Sequence, residues 1–150
     1  MFMGQYEHTI DAKGRMTIPV RYRDFLTDGA YITLGFDQNL LVMTTEDFMN
    51  ISQRIDEMSL TNPAARQLKR RIFAFAEKLD LDKAGRILIP AFLREHAELV
   101  DAATVVGMGA VFEIWSPTLW SGESADLQLP DADQQRFVNF ELPVRSKNNG

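Results

Sequence analysis

One fourteen-residue stretch occurs twice in this chain, and it limits the possible folds more than any other feature. Residues 10–23 read IDAKGRMTIPVRYR and residues 81–94 read LDKAGRILIPAFLR, an offset of 71. Asp11 meets Asp82, Gly14 meets Gly85, Arg15 meets Arg86, Ile18 meets Ile89, Pro19 meets Pro90 and Arg23 meets Arg94. The flanks agree in character: Leu40 to Met43 lies over Val111 to Ile114, and Phe48-Met49 over Leu119-Trp120. Gly35 and Gly107 align if one residue slips. Self-similarity at a fixed offset signals duplication, not function. It also sets a packing problem. Strands as short as these cannot bury a core alone, so the copies are expected to share one.

Each copy reads as strand, tight turn, strand, short helix and hairpin. In the first, Tyr6 to Ile10 is a strand, Ala12-Lys13-Gly14 a turn, and Met16 to Ile18 a second strand. Gly14 is free to take positive φ there. Pro19 suits a first helical position, because its missing N–H costs nothing at that point. Val20 to Leu26 then form about two turns, closed by Gly29. Tyr31 to Leu34 and Leu40 to Met43 flank Gly35–Asn39 as a hairpin. The second copy supplies Lys78 to Leu81, Ile87 to Ile89, the helix Pro90 to Ala97, Thr104 to Val106 and Val111 to Trp115.

Between the copies, Thr45 with Glu46 and Asp47 reads as an N-cap and acidic first turn. Phe48, Ile51, Ile55 and Met58 follow helical spacing. Asn62-Pro63 breaks the pattern, and a second helix is expected over Ala64 to Glu77. Residues 121–135 are rich in Ser, Gly, Asp and Pro and read as loop; Phe137 to Phe140 is a candidate docking segment, and Ser146 to Gly150 a frayed end. The organisation expected is one unit at 5–50, a helical linker at 51–75, a second unit at 76–120 and an acidic extension at 121–150.

The net charge of −5 argues at first against nucleic acid, but the charges are unevenly spread. Residues 66–97 hold eight basic and four acidic side chains, whereas residues 98–150 hold three and eight. An acidic tail thus masks a basic middle. An acidic total still favours a few directed contacts over a broad basic surface. The chain has no cysteine, which excludes disulfides, thiolate metal sites and a cysteine nucleophile. No apolar run is long enough for a membrane span, and the first residues lack the basic and apolar regions of a signal peptide. His8 and His96 are isolated, no metal-ligand spacing occurs, and neither a nucleophile elbow nor a P-loop is present. Neither a cofactor nor an enzymatic activity is expected.

The chemistry concentrates in Asp11-x-x-x-Arg15 and Asp82-x-x-x-Arg86. One reading is structural: an Asp closes the turn and its Arg is a solvated partner, an ion pair contributing roughly 0–1 kcal/mol. The other has Asp fix the turn and hold Arg extended, so that the guanidinium grips a phosphate or a guanine edge bidentately. Retention of Asp, Gly and Arg in both copies favours the second. Lys13 and Lys83 add charge to the same turns. Arg21, Arg23 and Arg94, on the helices after the prolines, are either solvated or phosphate contacts. Lys69-Arg70-Arg71 is a sharper cluster, read as the wet face of a helix or a subunit contact. Trp115 and Trp120 read as core or interface.

The stretches Gly4 to Pro19, Asn62 to Ala74, Leu81 to Ala97 and Phe112 to Trp115, in this order, resemble the MraZ family of bacterial transcriptional regulators. The resemblance runs from about residue 2 to residue 120. It implies an α+β fold of two tandem AbrB-like (SpoVT/AbrB) swapped-hairpin units forming a pseudo-symmetric, barrel-like core with linker helices. The family's Asp-x-x-x-Arg motif falls on Asp11/Arg15 and Asp82/Arg86, so those arginines are the implied contacts to double-stranded DNA. A homo-oligomeric ring acting on short repeated boxes upstream of the division and cell-wall gene cluster is also implied; the expected location is the cytoplasm, at the nucleoid, with no membrane or small-molecule partner. A ring suits the acidic total, because linked weak sites act together through effective concentration. The competing reading is a ring-forming interaction module that does not bind DNA.

Overall fold

The computed structural model describes residues 1–130 and 135–142. The first copy of the repeat forms β1 (Gln5–Thr9), β2 (Arg15–Thr17), α1 (Val20–Arg23) running into a 3-10 turn, β3 (Ala30–Leu34), β4 (Leu40–Thr44) and α2 (Thr45–Asp56). Helix α3 (Pro63–Phe73) follows. The second copy forms β5 (Glu77–Leu79), β6 (Arg86–Leu88), α4 (Ala91–His96), β7 (Ala102–Gly107), β8 (Val111–Trp115) and α5 (Pro117–Leu127).

The result is a mixed α/β fold in which the copies exchange strands. A six-stranded antiparallel sheet runs β1-β7-β8-β4-β3-β5, and β2 pairs with β6 in a separate two-stranded ribbon. Strand β1 thus adds to the hairpin of the second copy, from Gln5↔Val106 to Thr9↔Ala102, and β5 adds to that of the first, from Ala30↔Leu79 to Ile32↔Glu77. The hairpins meet in the middle, where Val42 faces Phe112 across β4 and β8. The strand order is linear with β1 and β5 at its edges, so the barrel-like closure expected from the sequence is not among its pairings.

In the ribbon, Met16 pairs with Ile87, which is its own equivalent in the repeat. The pseudo-twofold axis therefore passes between these two residues. Both point inward, 0% and 2% exposed, and pack with Ile18, Ile89, Tyr22, Leu93 and Phe112 in one core drawn from both copies. Each such side chain contributes roughly 1.5–3 kcal/mol by burial. The alternation also fixes register: a slip of one residue would turn Arg15 and Arg86 into the core. Tyr22 anchors the N-terminus, its hydroxyl donating to the Met3 carbonyl at 2.7 Å and its ring meeting Phe2 edge-on at 4.8 Å. A smaller cluster of Met43, Phe48, Ile55 and Ile72 seats α2 and α3.

Several local expectations are corrected. Thr44, not Thr45, caps α2, its side chain accepting from Asp47 N–H at 3.1 Å. Pro19 and Pro90 stand just before α1 and α4 with extended ψ, as N-cap residues and not the first helical ones. Helix α3 ends at Phe73, because Glu77 to Leu79 are drawn into an edge strand beside β3. Residues 117–127, expected in part as loop, are helical. Ser116 and Pro117 start that helix, and Trp120 fastens it by packing on Trp115 and donating to Gln5 Oε1 at 2.9 Å. Phe137, Val138 and Phe140 are exposed and do not dock. The frayed end expected at 146–150 lies outside the described residues.

Candidate nucleic-acid interface

The two Asp-x-x-x-Arg turns have nearly the same geometry. Asp11 Oδ1 accepts from Lys13 N–H (3.0 Å) and Arg15 N–H (2.9 Å), while Oδ2 accepts from Arg15 Nε at 2.7 Å. In the second turn Asp82 Oδ1 accepts from Ala84 and Arg86 N–H, both at 2.9 Å, and Oδ2 from Arg86 Nε at 2.9 Å. Backbone bonds close each loop: Gly14 N–H donates to the Asp11 carbonyl and Gly85 N–H to the Asp82 carbonyl, both at 3.0 Å. Gly14 and Gly85 have φ of 88° and 75°, where a Cβ would be strained. The carboxylates are thus held by several donors, and both ionise below the ordinary aspartate range. The largest cause is the backbone N–H of Arg15 at Asp11 and of Arg86 at Asp82, and the arginine side chains add to it.

Each aspartate occupies the Nε side of its arginine. Among the described residues no hydrogen bond occupies the Nη groups of Arg15 or Arg86. The two guanidinia also converge: Arg86 Nη1 lies 4.0 Å from Asp11 Oδ2, the oxygen that already accepts from Arg15. Two cations therefore share one carboxylate oxygen, with exposed Lys13 and Lys83 in the same turns. That arrangement presents forked donors and surplus positive charge to an anion.

The ribbon decides what stands between them. Arg15 pairs with Leu88 and Thr17 with Arg86, one residue either side of the buried Met16–Ile87 pair. Arg15, Thr17, Arg86 and Leu88 consequently share the outward face. Thr17 and Leu88 carry no motif signal of their own; only their parity with the arginines, two residues along each strand, points to this face.

The other basic residues divide. Arg21 is exposed. Arg23 and Arg94 are half-buried, their Nε donating at 3.0 Å to the carbonyls of Ile18 and Ile89. Both also cross to the opposite copy. A Cβ placed on Gly85 would lie 2.5 Å from Arg23 Cζ, and one on Gly14 would lie 2.7 Å from Arg94 Cζ. Each turn is therefore braced by a guanidinium from the other repeat. In the central cluster, Lys69 Nζ donates to the Asp56 carbonyl at 3.3 Å and Arg71 Nη2 to the Gly35 carbonyl at 2.6 Å, which ties α3 to α2 and to the first hairpin. Arg70 is exposed. Among the described residues no group of three or more His, Asp and Glu is placed to hold a metal ion, and no helix is long and apolar enough to cross a membrane.

The family model for the MraZ protein matches the chain twice, over residues 1–71 and 72–139. The chain belongs to the MraZ family. Its relatives include the transcriptional regulator MraZ of Roseiflexus castenholzii, 46% identical over 138 residues, which covers 92% of this chain and 94% of the relative. The transcriptional regulator MraZ of Herpetosiphon aurantiacus is 46% identical over 80% of this chain and 84% of its own length. That of Thermoanaerobacter pseudethanolicus is 45% identical over the same shares. Each match to the MraZ model contains one Asp-x-x-x-Arg turn, and the boundary between the matches falls inside α3.

Proposed function

We propose that this chain is a sequence-specific DNA-binding transcriptional regulator and not an enzyme. The names of its relatives support regulation. The observation that carries DNA binding is the outward ribbon face, where Arg15 and Arg86 are each held by an aspartate and meet at Asp11 Oδ2. A two-stranded ribbon is of a size that enters the major groove, and a guanidinium whose Nη groups make no hydrogen bond among the described residues matches guanine O6 and N7 or a phosphate. In this reading Asp11 and Asp82 position the arginines. Lys13, Lys83 and Arg21 meet phosphates, and Arg23 and Arg94 brace the turns while adding charge beside them.

One chain offers a small site against an acidic total, so the reading includes a homo-oligomer, a ring that presents neighbouring sites to repeated boxes upstream of the division and cell-wall genes. The exposed aromatic pair Phe75 and Phe92, with ring centroids 6.4 Å apart, leaves apolar surface that supports assembly. The place of action is the cytoplasm, at the nucleoid. The test is a gel-shift titration of promoter DNA with the native chain and with Arg15→Ala/Arg86→Ala, each checked by sedimentation. Binding is expected to disappear while the oligomer persists. Equal binding by both would overturn the proposal and leave the second reading, an interaction ring without DNA.

A further inference from the structure

The two arginines are symmetric about the Met16–Ile87 pair, but the residues between them are not. Thr17 and Leu88 are equivalent positions in the repeat, one a hydroxyl and one an isobutyl group. Ladder bonds from Ile18 N–H to the Gly85 carbonyl and from Ile89 N–H to the Gly14 carbonyl, both 2.9 Å, fix the pairing type. The Arg15–Leu88 and Thr17–Arg86 pairs are then the non-hydrogen-bonded ones. In such pairs facing Cα atoms are about 4.5 Å apart and side chains lie closest. Leu88 is 57% exposed, directly across the ribbon from a DNA-directed guanidinium, while Ile87 and Ile89 beside it are buried. A leucine there serves neither the core nor the charge of this face.

We infer that Leu88 and Thr17 are base-reading residues that make the site recognised by one chain asymmetric: Leu88 selects a thymine through its methyl group, and Thr17 reads the equivalent position through its hydroxyl. This rests on the DNA-binding reading above. The chemistry follows from what the major groove exposes. The arginines suit guanine edges. Beside them a fully apolar side chain has one apolar partner on a base edge, the thymine C5-methyl, whereas a threonine has a smaller methyl and a hydroxyl that bonds donors or acceptors of several bases, and so discriminates less. A duplex read by this ribbon would therefore depart from an inverted repeat at the base pair facing Leu88.

The test is selection of bound fragments from random duplex DNA with the native chain, Leu88→Thr and Thr17→Leu. Sedimentation and circular dichroism accompany each, and both positions lie outside the core. The native chain should enrich one sequence with thymine at a position flanking a guanine. Leu88→Thr should lower that thymine preference about fourfold, the equivalent of one buried methyl group, and leave the guanine positions unchanged. Thr17→Leu should gain a thymine preference at the pseudo-symmetric position. Unchanged preferences in both variants would overturn the inference while DNA binding stands, as would a uniform loss of affinity on all sequences or a changed oligomer with the same preferences. If the native chain enriches no sequence, the DNA-binding reading itself fails, and this inference with it.

Discussion

Arg23 of the first repeat lies against Gly85 of the second, so closely that a Cβ on that glycine would sit 2.5 Å from the guanidinium carbon. Arg94 and Gly14 repeat the contact in the other direction. The conformation of each arginine-bearing turn is thus set partly by the other half of the duplication. Gly85→Ala should destabilise the chain by about 1–2 kcal/mol from the positive φ alone, and by more if Arg23 is displaced. Equilibrium denaturation measures the loss. Gly14→Ala should behave alike, and a variant as stable as the native chain would show that the turn and the arginine yield freely.

Salt should weaken DNA binding steeply, because each phosphate contact releases counterions. The slope of log affinity against log salt should fall by about one for each phosphate contact removed. Lys13→Gln and Lys83→Gln are expected to reduce it while keeping the sequence preference. Arg15→Ala or Arg86→Ala should instead cost about 1–3 kcal/mol and relax the preference at a base position. Fluorescence titration over a salt series separates the two classes. A slope unchanged by both lysine changes would remove Lys13 and Lys83 from the interface.

Acid should loosen the turns. Asp11 and Asp82 ionise below the ordinary value of 3.8 in the folded chain. Below that value the unfolded chain takes up protons first. The stability these groups contribute is therefore complete above the ordinary range, and is lost as pH falls through their depressed values. Denaturant midpoints measured down a pH series should drop more steeply there in the native chain than in Asp11→Asn/Asp82→Asn. Parallel curves would mean that other carboxylates govern acid unfolding.

Tyr22 should remain neutral far into alkali. Burial, with Tyr6 nearby, pushes its hydroxyl up to about 12. Tyr22→Phe keeps the ring contacts with Phe2 and Phe112 but leaves the Met3 carbonyl without its donor. A loss of about 1 kcal/mol is expected in denaturant melts, with looser attachment of the first residues seen as faster amide exchange. A neutral result would mean that water replaces the hydroxyl at that carbonyl.

The sequence alone determined the duplication, and with it the paired Asp-x-x-x-Arg turns, the short hairpins and the family. These are local properties. A glycine at positive φ, an aspartate bonding the amides that follow it and a period-two alternation around Met16 and Ile87 all act within a few residues, so they are legible in order along the chain. The limits of local reading show at Glu77, where pairing with Ile32 of β3 outweighs helical propensity, and at Trp120, where contact with Trp115 and Gln5 holds a helix in a loop-like composition. Only the tertiary structure decided that β1 and β5 change partners, that Arg23 and Arg94 reach across to the opposite turns, and that Arg86 comes to the aspartate of the first copy. The physical reason is common to all three. Neither copy can bury Met16 or Ile87 by itself, so the core forms between the copies, and contacts across that boundary join residues far apart in the sequence.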